Sequence, residues 1–386
     1  MPRVREQPDF AKMPAVALLI LSSFIFLSQR CALGAPATTG FQLVGEPTRF
    51  ARAPSVEQTV FQAQRGPSAF DRVGLHHLTQ LSARANAVVL YLPGTNMNGE
   101  VAVDDPRYSL PLYLASHRVD FWAFDYRTHF VPASVKPFQL SELQSWTNEL
   151  FEADISAAVR FILARTGQQR IFVAGFSRGS AFALLYAAAH PESVKGLIII
   201  DGIIGAGRPG SPPAGVYAND VSGKQLTWDK RQALMRRVIE EPEGPAPLPQ
   251  FKSAADCLDH VVYHSSAFGG NGGLANPLGG FSNASVLARV LILYDRYWPN
   301  VQDYEDSFTP EIRESLSKSR IPVLAFSSTN ISAEWPRLVA ATATSTGNRD
   351  VTVKTLHNWG HLDLICGTYA EHEVFAPILR WLLQHS

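Results

Sequence analysis

The stretch IFVAGFSRGSAFALLYAAAH, residues 171–190, decides the fold class. A short apolar run, residues 171–174, is followed by Gly175-Phe176-Ser177-Arg178-Gly179 and then by an Ala- and Leu-rich helical pattern. A G-x-S-x-G between a strand and a helix is typical of a sharp turn that presents its serine at the tip. The serine of such a turn has a strained backbone, and we expect side chains at positions 175 and 179 to collide with the neighbouring strand and helix. Ser177 is therefore a candidate nucleophile.

Similar apolar runs recur on both sides of this stretch. Each is short and continuous, as expected of strands covered on both faces of a sheet. Helical patterns lie between several of them, as at residues 146–164, and this alternation predicts an α/β fold with a doubly wound, mostly parallel sheet. The predicted strands of this kind are residues 87–92, 121–124, 171–174, 197–200 and 323–326, and the mixed segment VTVKTL, residues 351–356, is predicted as the last strand.

The alternation stops near Gly205 and resumes near Ile321. A gap of this length is too long for a plain loop, and it contains helix-like segments at residues 229–240 and 284–297. We therefore predict a core formed by residues 35–204 and 321–386, interrupted by an inserted, mainly helical cap at residues 205–320. Residues 36–70 are ambiguous and can hold one or two antiparallel edge strands.

The N-terminus has the pattern of a secretory signal peptide. Basic residues precede the uncharged stretch AVALLILSSFIFL, residues 15–27, and small residues at 32 and 34 predict cleavage after Gly34. The stretch is shorter than the roughly 20 residues of a membrane span, although an uncleaved anchor is the alternative. We expect a secreted or periplasmic protein without a stable membrane span once residues 1–34 are removed.

Composition excludes several classes of protein. The whole chain has 34 basic and 34 acidic residues and is 46% apolar, which excludes disorder, a nucleic-acid-binding domain and a disulfide scaffold. Removal of residues 1–34 takes away four basic and two acidic residues and leaves a charge of −2, so no nucleic-acid partner is expected. Cys257 and Cys366 remain and could pair in an oxidising compartment.

A candidate base follows the last predicted strand. The segment His357-Asn358-Trp359-Gly360-His361-Leu362-Asp363 lies where enzymes with this strand–serine–helix turn carry their histidine. His361 fits best because it follows a glycine in a loop and precedes the terminal helix, and His357 is its competitor. Among the other histidines, His129, His260 and His264 could line the pocket.

An oxyanion hole needs two backbone N–H donors. One is expected from Arg178, directly after the nucleophile, and the other from Thr95 or Asn96 in the loop that follows the strand at residues 87–92.

Together these segments resemble the α/β-hydrolase superfamily, specifically its secreted esterase- and lipase-like members. The matching pieces are LYLPGTN, GFSRGS, LIIIDG and GHLDLICG, in the family's order, and the last resembles the histidine segment of acid-lipase-type enzymes. The resemblance implies an α/β-hydrolase fold with Ser177 as nucleophile, His361 as base, and Thr95 with Arg178 as oxyanion donors.

The third member of the triad departs from the family pattern. No Asp follows the strand at residues 323–326, where Glu334 is the first carboxylate, and the alternative is Asp201 at the end of the strand at residues 197–200. We keep Glu334 and Asp201 as equal candidates. Asn330 would hold the imidazole tautomer but stabilise its cation less, and Asp363 is interpreted as local loop structure.

The leading functional hypothesis is a secreted serine hydrolase that cleaves uncharged, lipid-like carboxylic esters through an acyl-enzyme. An amidase, peptidase or acyltransferase on the same triad is one alternative, and a catalytically silent binding module of the same fold is another. The sequence has no HExxH, CxxC or Gly-rich phosphate loop, so we expect neither a metal nor a cofactor.

Overall fold

The computed structural model describes residues 40–81, 83–205, 216–218, 227–263, 274–276, 281–304 and 308–386. The predicted signal peptide, residues 1–34, lies outside the described residues, as do parts of the predicted cap and His264. Residues 39–386 form one compact unit.

Nine strands form one mixed sheet in the order β1-β2-β3-β5-β4-β6-β7-β10-β11. The strands of this sheet are β1 (Gln42–Phe50), β2 (Ala53–Gln64), β3 (Arg72–Gln80), β4 (Ala87–Leu92), β5 (Val119–Asp125), β6 (Ile171–Phe176), β7 (Val194–Ile200), β10 (Val323–Ser328) and β11 (Val351–Leu356). A separate antiparallel pair joins β8 (Val216–Ala218) to β9 (Tyr297–Pro299).

The six strands from β5 to β11 in this order are parallel, which confirms the predicted doubly wound α/β sheet. The first three strands pair antiparallel and extend one edge of it. The ambiguous segment at residues 36–70 thus contributes β1 and β2, and the sequence reading missed β3, whose histidines and glycine break an apolar run.

Eleven α-helices are present in the described residues. They are α1 (Leu110–Ser116), α2 (Asn148–Thr166), α3 (Arg178–Ala189), α4 (Trp228–Glu240), α5 (Ala254–Tyr263), α6 (Ala284–Ile292), α7 (Val301–Tyr304), α8 (Pro310–Ser319), α9 (Trp335–Ala343), α10 (Asp363–Cys366) and α11 (Ala376–Gln384). Helix α2 shows why the ends fall where they do: the Thr147 hydroxyl accepts from the Leu150 amide, and Gly167 ends the helix with φ 70°.

The central strands are buried on both faces, as their continuous apolar sequences predict. In β7, Ile198 and Ile200 belong to one hydrophobic cluster, whereas Leu197 and Ile199 belong to the other. This alternation follows from the two-residue period of a strand. Two apolar layers therefore sandwich the sheet and hold the carboxyl ends of its strands in fixed positions.

The inserted segment packs against the same core. Its helices α4, α5 and α6 contribute Leu234, Leu258 and Leu287 to one of the two clusters. The helix expected at residues 284–297 ends at Ile292, because residues 297–299 instead pair with β8. No helix among the described residues has both the length and the apolar character needed to cross a membrane.

Candidate active site

The turn between β6 and α3 holds Ser177 in a strained conformation, with φ 53° and ψ −123°. The positions on either side of this turn must be glycine, because neighbouring backbone atoms lie where a Cβ atom would be. A Cβ at Gly175 would lie 2.3 Å from the carbonyl oxygen of Gly179, and a Cβ at Gly179 would lie 1.9 Å from the carbonyl oxygen of Leu92. The serine amide donates to the Ile200 carbonyl at 2.9 Å, which fixes the turn against β7. Ser177 lines a cavity at the carboxyl end of the sheet.

His361 lies in the loop after β11 and is 3% exposed. Its ring stacks on that of Phe176, the residue before Ser177, with ring centroids 4.5 Å apart and an interplanar angle of 29°. This contact places the imidazole beside the serine turn. Its competitor His357 is exposed at the surface.

Asp201 is the carboxylate in contact with His361. Its Oδ2 lies 2.7 Å from the imidazole Nδ1, and the carboxyl group is fully buried. Ser328 donates to it twice, through its amide and its hydroxyl, each at 2.7 Å, and the Trp335 indole N–H donates at 2.8 Å. These donors compensate for its burial and fix its orientation. Asp201 itself has φ 51°, a strained position directly after β7.

Glu334, the other candidate for the acid, does not contact the imidazole of His361. Its side chain is 74% exposed and pairs with Arg337 at 3.5 Å. The cause is the path of the loop: β10 ends at Ser328, and the chain reaches the outer surface before α9 begins, so the first carboxylate after the strand points to solvent. Asn330 also lies in this loop, and its backbone N–H donates to the Trp359 carbonyl at 3.1 Å.

The loop after β4 lies directly against the serine. A Cβ at Gly94 would be 3.0 Å from the Cβ of Ser177, and the next residue, Thr95, lines the same cavity. Arg178 begins α3, and the N–H groups of a helix's first turn donate to no carbonyl of that helix. Both predicted oxyanion donors therefore border the serine.

Arg178 also contributes its side chain to the cavity wall. Its Nη2 donates to the side-chain oxygen of Asn148 at 2.8 Å and to the backbone carbonyl of Gln302. Asn148 is itself a cavity residue at the start of α2. These bonds connect the turn after the nucleophile to the insertion.

The cavity has a volume of about 230 Å³. Beyond the serine its wall contains several small and apolar side chains, together with the aromatic rings of Phe308 and Trp335. Its lining residues are Thr95, Asn148, Ser177, Arg178, Ala181, Leu185, Gly202, Ile203, Gly205, Phe308 and Trp335. His129 and His260 are not among them.

A largely buried polar cluster that the sequence reading missed lies next to the loop after β4. Asp125 contacts His76 at 3.0 Å and accepts from the Gly99 amide at 2.7 Å, while His129 contacts Asp295 at 3.0 Å. Burial opposes the charge of His129, but the Asp125 and Asp295 carboxylates outweigh it and raise the pKa of His129 to about 10. Burial would also raise the pKa of Asp125, yet His76 and His129 lower it to about 2.

Asp363 has a wider role than local loop structure. This buried carboxylate accepts from the Gly360 amide at 2.6 Å, next to His361, and from two residues of the insertion, Ser282 and Asn276. Burial raises its pKa to about 6, even though these hydrogen bonds favour the ionised form. No local pattern reveals such contacts, because the partners lie more than 80 positions away.

Cys257 and Cys366, whose pairing the sequence left open, are both buried free thiols. Burial raises the pKa of Cys257 to about 11 and that of Cys366 further. Both thiols therefore stay protonated at neutral pH.

Comparison with known proteins agrees with this architecture. Residues 87–234 match the model of the α/β-hydrolase fold family. Lipase member M of Homo sapiens is 28% identical over 90 residues, which is 22% of this chain and 21% of that protein. Lipase member K of Homo sapiens is 25% identical over 138 residues, 35% of this chain and 32% of that protein. The chain thus aligns with about a fifth to a third of the length of these two curated relatives.

A crystal structure from Sulfolobus solfataricus, which carries a provisional lipase name, is similar over a much longer stretch. It superposes with a TM-score of 0.74 and 26% identity, and the match covers 90% of this chain and 99% of that one. The similarity therefore includes most of the insertion as well as the sheet.

Proposed function

Because this chain belongs to the α/β-hydrolase superfamily and has lipase- and esterase-like relatives, we propose that it is a serine hydrolase of carboxylic esters. The observation that carries the proposal is the chain of contacts from Asp201 to His361 to the serine turn: a 2.7 Å carboxylate–imidazole contact, with the imidazole stacked on the residue before a strained Ser177. A nucleophile, a base and a group that orients the base are the three parts of such a site.

In the proposed reaction the Oγ of Ser177 attacks the ester carbonyl carbon, and Nε2 of His361 takes the hydroxyl proton. The carbonyl electrons move to oxygen, and the backbone N–H groups of Thr95 and Arg178 donate to that oxyanion. Each such donor is worth about 3 kcal/mol of transition-state stabilisation. Collapse of the tetrahedral intermediate expels the alcohol, which receives the proton from His361, and water then hydrolyses the acyl-enzyme by the same steps.

Asp201 holds the proton of the imidazole on Nδ1, so that Nε2 faces the nucleophile, and it stabilises the imidazolium. Its own orientation is fixed by Ser328 and Trp335. We assign no catalytic role to Glu334, because its side chain faces solvent.

The cavity supports an uncharged acyl or aryl substrate. Ala181, Leu185, Ile203 and Phe308 present apolar surface to it, and apolar walls with a few convergent polar groups are typical of small-molecule sites. The lipase names of the relatives are consistent with lipid-like esters. The whole-chain net charge of zero gives no reason to expect steering of anionic substrates.

The experiment is hydrolysis of p-nitrophenyl esters of increasing acyl length by the wild type and by Ser177→Ala, with the matching anilides as a control. We expect ester turnover that Ser177→Ala abolishes and much slower anilide turnover. Preferred turnover of the anilides would favour an amidase. Folded wild type that turns over neither series would contradict a hydrolase.

We also propose that the protein is exported, on the basis of the signal-like pattern in residues 1–34. Intact mass of the protein recovered outside the cytoplasm tests this. A mature chain that begins at Ala35 supports export, and a full-length chain retained in the cytoplasm contradicts it.

A further inference from the structure

Helix α6 of the insertion is hydrogen-bonded at its N-terminal end, the first end below, to the loop that carries His361. Ser282, just before the helix, donates its hydroxyl to Asp363, and the other oxygen of the same carboxylate accepts from the Gly360 amide at 2.6 Å. A single buried carboxylate thus joins the insertion to the residue before His361. Asn276 of the insertion adds a second bond, since its side chain donates to the Asn358 carbonyl at 2.9 Å.

The other end of α6 is bonded to the loop that carries Thr95. The Asn98 side chain donates to the carbonyl of Leu293, the residue after the helix, at 2.7 Å, and to the Asp295 carboxylate at 3.1 Å. The Asp295 amide donates to the Asn96 carbonyl at 2.7 Å, and the Asn96 side chain donates back to the Asp295 carbonyl at 3.0 Å. Asn96 is the residue after Thr95 and is 2% exposed.

The helix between these two ends is short, capped and packed. Asn283 accepts from the amides of Ser285 and Val286 and so caps its start. Leu287 and Ala288 are buried in the core, whereas Arg289 faces solvent. At 1.5 Å per residue, its nine residues span about 13 Å. A packed helix of this length transmits a displacement of one end to the other, because interiors at crystal-like density do not compress easily.

We infer that α6 is a strut that sets the position of the base loop relative to the oxyanion loop, with Ser282 and Asn98 as the positioning residues at its two ends. This inference rests on the proposed function. Base, nucleophile and oxyanion donors act together only within a narrow geometry, and a misplacement of about 1 Å can cost about 100-fold in rate. The two loops belong to different strands, and α6 is a rigid connection between them that does not pass through the sheet.

A double-mutant cycle tests the strut. Ser282→Ala removes the bond from Ser282 to Asp363 at the first end and leaves the Asn276 bond in place. Asn98→Ala removes both bonds that the Asn98 side chain donates at the second end and leaves those of Asn96 in place. The kcat is measured per active site titrated with a fluorophosphonate probe. We expect each variant to lower kcat about 10-fold or more while KM stays unchanged. If the two substitutions act independently, their fold-losses in kcat multiply in the double variant. If both act through one strut, kcat of the double variant is little lower than that of either single variant.

Two controls separate positioning from general destabilisation. Arg289→Ala changes the exposed face of the same helix and should leave kcat unchanged, and Ser282→Thr keeps the hydroxyl and should restore the wild-type rate. Unchanged kcat in both end variants, multiplicative losses in the double variant, or an equal loss in Arg289→Ala would each overturn the strut. Wild type that neither reacts with the probe nor hydrolyses esters would overturn the proposed function and the strut with it, whereas active wild type with unaffected end variants overturns the strut alone.

Discussion

Asp201 and His361 are 160 positions apart in the chain, and the carboxylate Oδ2 of one lies 2.7 Å from the imidazole Nδ1 of the other. The carboxylate sits at the end of β7 and the imidazole in the loop after β11, with β10 between these two strands in the sheet. The acid therefore follows β7 and not β10, although β10 is the strand that directly precedes β11 in the chain.

The first prediction concerns the identity of the acid. Asp201→Asn keeps the shape of the side chain but offers an amide to the imidazole, which favours the wrong tautomer, so we expect kcat for ester hydrolysis to fall about 10⁴-fold. Glu334→Gln is the matched control and should leave kcat unchanged, because that side chain faces solvent. The reverse outcome, with loss only in Glu334→Gln, would reassign the acid.

The second prediction concerns Trp335, which lines the cavity and also donates its indole N–H to Asp201 at 2.8 Å. Trp335→Phe keeps an aromatic wall but removes the donor. A lost hydrogen bond to a charged group is worth about 1.5–3 kcal/mol, so we expect kcat to fall by about 10- to 100-fold with little change in KM. Steady-state kinetics on one ester checks this, and a rise in KM alone would show that the ring acts only as a wall.

The third prediction concerns acyl length. Ala181 lies on α3 in the wall of a cavity of about 230 Å³, so Ala181→Leu should fill part of that space. We expect kcat/KM to fall more for long-chain esters than for acetate esters, and the melting temperature reports whether the fold survives. A uniform loss across all chain lengths would contradict the cavity as the acyl site.

The fourth prediction concerns stability and pH at Asp363. Its pKa rises from 3.8 to about 6 on folding, so the folded state binds the proton more tightly than the unfolded chain does. Stability from this group is therefore present below pH 3.8 and is lost as pH rises to about 6, by about 3 kcal/mol. Urea unfolding of the wild type and Asp363→Asn across this range should show the wild-type advantage shrinking as pH rises. An advantage that grows with pH would contradict the raised pKa.

The sequence predicts those parts of the fold that depend on local pattern. The strand, glycine turn and helix around Ser177 are contiguous, and five of the six predicted parallel strands are continuous apolar runs, which are stable only in a sheet covered on both faces. The sixth, residues 351–356, forms the partly exposed edge strand β11. The position of His361 in a loop after the last strand was likewise predictable, because the segment that contains it follows that strand in the chain. Local chain chemistry is sufficient for these elements.

The rest depends on contacts between distant positions. Glu334 and Asp201 are equivalent as sequence, and only the path of the chain after Ser328 turns one outward and leaves the other buried. The bonds of Asp363 to Ser282 and of Asn98 to Leu293 join segments 81 and 195 positions apart. No periodicity encodes such pairs, so the connection between the insertion and the two loops was not predictable.

The most direct test of the account is intact-mass and peptide-mass analysis of the folded protein after reaction with a fluorophosphonate probe, alongside Ser177→Ala. The account predicts a single adduct, located on the peptide that contains Ser177, and no adduct on the variant. An adduct on another residue, equal labelling of the variant, or no labelling of folded wild type that retains its melting temperature would contradict it.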